Sequence, residues 1–157
     1  MNFEYKNKNY KFDRFPLNVK DKLKPWNAAD ELILTYLDEI LKQTDKIAIA
    51  NDDFGFLSIC LNQNTHTISA DTQSQANAIR YNEQQNGLLN TSKILVNPLE
   101  KLDSEIDFGL LKIPKSLGLF EIYLQQLHRS LAKNGSVICS FMTKYFTPQY
   151  LTLAAKY

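Results

Sequence analysis

Lys46-Ile47-Ala48-Ile49-Ala50-Asn51-Asp52-Asp53-Phe54-Gly55-Phe56-Leu57-Ser58 reads as a buried strand that passes through a short polar turn into the start of a helix. In an open α/β domain this first strand-turn-helix is where a cofactor meets the backbone. Glycines at the turn let the N–H groups come close, and a side chain there blocks the approach. Asn51 and Asp53 stand where glycines are expected, and only Gly55 remains. The stretch therefore predicts an open α/β domain whose cofactor pocket is filled in or abandoned.

The chain on either side repeats the same pattern. Asn27 is placed to cap a helix, with Asp30 and Glu31 in its first turn and Ile33, Tyr36, Leu37, Ile40 and Leu41 at helical spacing. After the first strand, Ile47–Ala50, a short helix is expected from Phe56 to Leu61 and a second strand over Thr67–Ala70. A helix follows over Thr72–Asn86, ended by Gly87, then a third strand over Ile94–Val96. Leu99–Glu105 reads as a loop and Phe108–Ile113 as a fourth strand. Leu117, Phe120, Leu124, Leu127 and Leu131 form one apolar helical stripe that closes before Asn134-Gly135, and Ser136–Phe141 is the fifth strand. Strands alternating with helices imply right-handed βαβ units in a parallel sheet flanked by helices, with the order 3-2-1-4-5. The open edge after the fifth strand, and a helix just begun at Pro148–Tyr157, lead us to expect a truncated fragment of a longer protein.

At 157 residues the chain is one domain's worth, and 44% apolar with 22% charged residues excludes a disordered or membrane class. No apolar run reaches spanning length, and the N-terminus lacks the pattern of a secretory signal. We expect a cytoplasmic protein with no membrane partner. Cys60 and Cys139 lie in apolar runs without metal spacing and read as core residues. His66 and His128 are far apart and read as structural, as do Thr91, Ser92 and Ser116. Asp103, Glu105 and Asp107 read as a solubilising turn in preference to a metal site.

The net charge of +1 excludes a strongly basic nucleic-acid binder, but its distribution is uneven. Lys6, Lys8, Lys11, Arg14, Lys20, Lys22 and Lys24 precede Trp26, interleaved with Phe3, Tyr5, Tyr10, Phe12 and Phe15. Cations with aromatic rings suit single-stranded RNA; the same residues also suit a leader whose rings pack on the domain while its lysines face water. We divide the chain into a basic, aromatic N-terminal arm at residues 1–26 and an α/β domain at residues 27–157.

Taken in order, Arg14-Phe15-Pro16, Trp26-Asn27-Ala28-Ala29-Asp30-Glu31, Asn51-Asp52-Asp53-Phe54-Gly55-Phe56-Leu57-Ser58 and Lys112-Ile113-Pro114-Lys115 resemble the N-terminal domain of ribosomal RNA guanine-N2 methyltransferases of the RlmG type. The likeness covers nearly the whole chain from Arg14. It implies a Rossmann-like class I methyltransferase fold that lacks the working motifs and precedes a catalytic copy. It further implies that the parent protein moves a methyl group from S-adenosylmethionine to a guanine N2 of large-subunit (23S) ribosomal RNA. The cofactor would belong to the missing C-terminal catalytic domain, which becomes a partner of this one, and none would bind here.

The departures from that family's working motifs are specific. A functional loop runs Asp/Glu-x-Gly-x-Gly-x-Gly; here Ile49 replaces the acid, Asn51 and Asp53 replace glycines, and Gly55 alone persists. Asp71 falls at or just past the position of the acid that would hold the cofactor ribose, but it reads more readily as a cap or first-turn residue of the following helix. The catalytic Asn-Pro-Pro-aromatic turn is matched by Lys112-Ile113-Pro114-Lys115. A lysine there is a donor with no acceptor and cannot orient an exocyclic amine. No catalytic or metal-binding residue is expected. The candidate RNA contacts are Arg14, Lys20, Lys22, Lys24, Lys112 and Lys115, the last two at the carboxyl edge of the sheet. Two alternatives stand beside this reading: an active small methyltransferase with a divergent loop, and a purely structural or dimerising domain.

Overall fold

The computed structural model describes residues 1–89, 91–102 and 105–157. The chain opens on a hairpin, β1 (Asn2–Tyr5) paired antiparallel with β2 (Lys8–Lys11). Lys6 and Asn7 turn it at φ 48° and 62°, the left-handed pair whose twist matches the two strands. Its apolar face carries Tyr5 and Tyr10. With Phe12 and Trp26 they are buried against Ile33, Leu34, Leu37 and Phe56. Rings of Phe3, Phe12 and Trp26 surround Phe56 at centroid distances of 4.8, 5.1 and 5.1 Å. Two asparagines fasten the segment from behind. The Asn82 carboxamide exchanges hydrogen bonds with the Asp13 backbone, both at 2.9 Å, and Asn86 does the same with Lys11.

The rings of residues 1–26 thus pack on the α/β domain while their lysines face water, the second of the two readings the sequence left open. The alternation of aromatic and cationic residues is the period of a half-buried strand pair, rings inward and lysines outward.

The helix α1 (Ala28–Ile40) starts with a capping box: Asn27 accepts from the Ala29 and Asp30 N–H groups, and Asp30 accepts from the Asn27 N–H. There follow β3 (Ile47–Ala50), α2 (Phe56–Cys60), β4 (Thr65–Ser69), α3 (Gln73–Gln85), β5 (Lys93–Leu95), β6 (Ile106–Lys112), α4 (Leu117–His128), β7 (Leu131–Ser140), a 3-10 turn (Thr143–Tyr145) and α5 (Pro148–Ala154). The five-stranded sheet has the order β5-β4-β3-β6-β7 and is parallel throughout. This is the expected 3-2-1-4-5. All of β3 is buried, Ile47 and Ile49 packing on the hairpin and α1 while Ala48 and Ala50 face α4. A central parallel strand covered on both faces requires that continuous apolar run.

Most element boundaries differ from expectation by one or two residues, and the start of β7 by five. The second strand of the sheet starts at Thr65. Leu131, read as the end of a helical stripe, is the first residue of β7, because α4 stops at His128. Asn134-Gly135 is a bulge inside β7, between the pairings Ile106↔Leu131 and Phe108↔Ser136. A Cβ on Gly135 would sit 2.8 Å from the Ile106 carbonyl oxygen, so the close backbone approach there requires glycine. Among the described residues no helix is long and apolar enough to cross a membrane.

Candidate functional site at the carboxyl edge of the sheet

The turn after β3 is filled by its own side chains. Asn51 leaves the strand at φ 62°, a conformation Asn tolerates better than other side chains. Its Nδ2 donates to the Lys112 carbonyl at 2.8 Å, and its Oδ1 accepts from Gln75 Nε2 at 3.3 Å. One carboxamide thereby ties together the ends of β3 and β6 and the start of α3. Asp52 is buried and accepts from the Leu57 and Ser58 N–H groups at 3.2 and 2.8 Å, so a carboxylate of the chain already occupies the start of α2. Burial pushes its carboxyl up to about 6, against the pull of the Ser58 N–H and of Lys112. Gly55, at φ 80°, keeps the turn pressed on α3, where a Cβ would lie 3.2 Å from Ile79.

Lys112, expected as an edge cation for phosphate, turns inward. It is 8% exposed, with Nζ 3.1 Å from Asp30 and 3.2 Å from Asp53. Burial alone would depress its pKa, but Asp30, Asp53 and Asp52 together outweigh that and hold it up at about 12. Desolvation pushes the Asp30 carboxyl up while Lys112 and the Asn27 N–H pull it down. Lys112 is therefore withdrawn from the candidate RNA contacts: a buried cation facing the buried Asp30 carboxylate neutralises the core and is not presented to a ligand.

Lys115, by contrast, stays at the surface, with its ammonium 5.1 Å from the Tyr145 ring centroid. Asn51, Asp53, Lys112 and Lys115 line one open cleft of about 380 Å³, whose far wall is Ser140, Phe141, Met142 and Tyr145. The Tyr150 hydroxyl of α5, bonded to the carbonyls of Pro114 and Lys115 at 2.9 and 3.0 Å, holds the turn between the two lysines.

The other candidates lie elsewhere. Arg14 is paired with Asp21 at 2.7 Å and lies over the Phe54 ring at 5.1 Å. Lys24 sits over Trp26 at 5.5 Å, while Lys20 and Lys22 are exposed on the same loop after β2. Asp71 is exposed and does not cap α3; Thr72 does, through the Gln75 N–H at 3.2 Å. Of the acidic cluster, Asp107 accepts from the Lys46 N–H at 2.8 Å, and Asp103 lies outside the described residues. Among the described residues no group of three His, Cys, Asp or Glu side chains is placed to hold a metal. Burial pushes the Cys60 thiol up, and the Cys139 thiol up to about 11, which leaves both unreactive. Gln75, Ser140, Lys144 and Tyr145 carried no motif in the sequence. Asp30 was visible only as a first-turn acid.

Sheet order, helices on both faces and a cleft at the switch point between β3 and β6 define a Rossmann-like methyltransferase fold. The Thermus thermophilus 16S rRNA N2 G1207 methyltransferase (RsmC), solved with AdoMet and guanosine, superposes on 99% of this chain and 44% of its own at a TM-score of 0.77 and 13% identity. The ribosomal protein L11 methylase of Lactobacillus delbrueckii subsp. bulgaricus covers 82% of this chain and 67% of its own at a TM-score of 0.67 and 16% identity. At these identities the likeness is one of fold.

The family model of the RLMG N-terminal domain matches residues 1–157, and the chain belongs to that family. Ribosomal RNA large subunit methyltransferase G of Psychromonas ingrahamii is 28% identical over 149 residues, 92% of this chain and 39% of that protein. The same-named protein of Pseudoalteromonas translucida is 30% identical over 140 residues, 87% and 37%. The chain thus spans about two-fifths of the length of these curated relatives. The first turn, where an open α/β fold leaves backbone N–H groups free for a ligand, is occupied here by the side chains of Asn51 and the buried Asp52.

Proposed function

We propose that this domain is a non-catalytic, cofactor-free methyltransferase module of a large-subunit ribosomal RNA methyltransferase, working in the cytoplasm beside a catalytic domain of the same protein. The methyl transfer itself, from S-adenosylmethionine to a guanine N2 of 23S ribosomal RNA, would belong to that second domain. The observation that carries this reading is the Asn51 carboxamide, which bridges Lys112 and Gln75 across the place where a cofactor would enter. The names of the relatives and the length they have beyond this chain support the rest.

Within that arrangement the module holds RNA. Lys20, Lys22 and Lys115 present cations to phosphate, with Arg14 and Lys24 alongside them. A second reading, a purely supporting scaffold, is favoured by the engagement of Arg14 with Asp21 and of Lys24 with Trp26. Two measurements separate these readings from each other and from an active enzyme. Calorimetric titration with S-adenosylmethionine at millimolar concentration is expected to give no saturable heat. Bound at one hundred times its dissociation constant, the cofactor would add about 2.7 kcal/mol of stability, and such a thermal shift would overturn the cofactor-free reading. Anisotropy with ribosomal RNA fragments is expected to show weak binding whose log affinity falls with log salt by about 0.7 per phosphate contact. Absence of any binding at low salt would favour the scaffold.

A further inference from the structure

The closed turn after β3 leaves the other half of the cleft open, and the open half has the chemistry of a nucleotide site. Ser140, the last residue of β7, is 6% exposed, and its Oγ has no hydrogen-bond partner among the described residues although it lines the cleft. A buried hydroxyl left unsatisfied costs stability unless a ligand or water reaches it. Across from it Tyr145 is 49% exposed and flanked by two ammonium groups, Lys115 at 5.1 Å and Lys144 at 4.8 Å from its ring centroid. The lysines come from two different elements, the turn after β6 and the 3-10 turn after β7, so the pairing is made by tertiary structure.

The rim is held in shape from behind. Phe141 stacks on Phe146 with centroids 4.4 Å apart, and Tyr150 fixes the Pro114-Lys115 carbonyls. An exposed ring with two cations close over it, beside the exposed Asp53 carboxylate and a buried, unpartnered Ser140 hydroxyl, matches an unpaired nucleotide. The base stacks on Tyr145 and the flanking phosphates meet Lys115 and Lys144.

We propose that the cleft between Lys115, Ser140 and Tyr145 binds a single unpaired nucleotide of RNA, without chemistry, as an anchoring pocket. This rests on the RNA-holding reading above and assigns it a place. Phosphate alone would need only the lysines. The exposed Tyr145 ring favours a whole nucleotide.

The test uses the full chain and a short fluorescein-labelled single-stranded RNA, read by anisotropy at low salt and across a salt series. Tyr145→Ala is expected to weaken binding about tenfold, the usual scale of one lost base stack, while leaving the salt slope and melting temperature unchanged. Tyr145→Phe is expected to retain binding. Replacing Lys115 and Lys144 together by Gln is expected to flatten the slope by about 1.4, two phosphate contacts at about 0.7 each. A variant with Lys20 and Lys22 replaced by Gln separates the pocket from the loop. If that variant loses binding while Tyr145→Ala binds as the parent does, RNA is held by the loop and the pocket is refuted. If the parent itself shows no binding, the RNA-holding reading and the pocket fail together.

Discussion

The Lys112 ammonium lies 3.1 Å from the Asp30 carboxylate, joining the end of β6 to the first turn of α1 across 82 residues of chain. Asp30 is fully buried and also serves in the capping box through the Asn27 N–H at 2.8 Å. One carboxylate therefore fixes both the start of a helix and the floor of the cleft. A buried ion pair is costly to desolvate, and its removal in halves costs more than its removal whole.

Lys112→Met is expected to lose about 3–5 kcal/mol in urea denaturation, because it strands the Asp30 charge. Adding Asp30→Asn to that variant is expected to recover much of the loss. A single-variant loss below about 1 kcal/mol would place the pair among solvent-screened surface bridges.

Asp52 supplies a pH test. Its folded-state value of about 6 lies above the ordinary 3.8, so between the two the folded state binds more proton than the unfolded. Stability contributed by this residue must fall as pH rises through that window. The stability difference between the parent and Asp52→Asn should accordingly shift in the parent's favour from pH 6 down to pH 4. A flat difference would mean a solvated carboxylate. Lys112 has the same sign in a higher window: its contribution is complete below its ordinary 10.5 and is lost as pH rises through about 12.

Gly55 and Gly87 make a matched pair. Both have positive φ, 80° and 69°, but a Cβ on Gly55 meets Ile79 at 3.2 Å and Ile59 at 3.3 Å, whereas one on Gly87 meets nothing within 4 Å among the described residues. Gly87→Ala should cost about 1–2 kcal/mol of backbone strain. Gly55→Ala should cost a further ~1–3 kcal/mol for the contact, read from thermal or chemical unfolding.

The N-terminal hairpin should behave as core. Phe12 is fully buried, and Phe12→Ala is expected to destabilise by about 3–5 kcal/mol. Lys8→Ala and Lys11→Ala, on the outward face, should change stability by less than about 0.5 kcal/mol. Equal effects from ring and lysine would mean that the segment does not pack.

The parallel sheet, its strand order and the loss of the glycine turn were legible in the sequence, because they rest on local period and on single residue types: the apolar run Ile47–Ala50, the helical spacing around Ile33 and Leu37, and Asn51 and Asp53 in glycine positions. Those signals lie within a few residues of one another, where chain geometry alone relates them. What a cation does is not local. Lys112 and Lys115 stand three positions apart in one turn and looked alike. Strand pairing puts the first against Asp30 and Asp53, and the turn puts the second beside Tyr145. The basic, aromatic leader was likewise ambiguous until its rings met Phe56. Whether a polar side chain faces core, neighbour or water depends on elements distant in sequence, and only the tertiary structure decides it, because desolvation and pairing act through space and not along the chain.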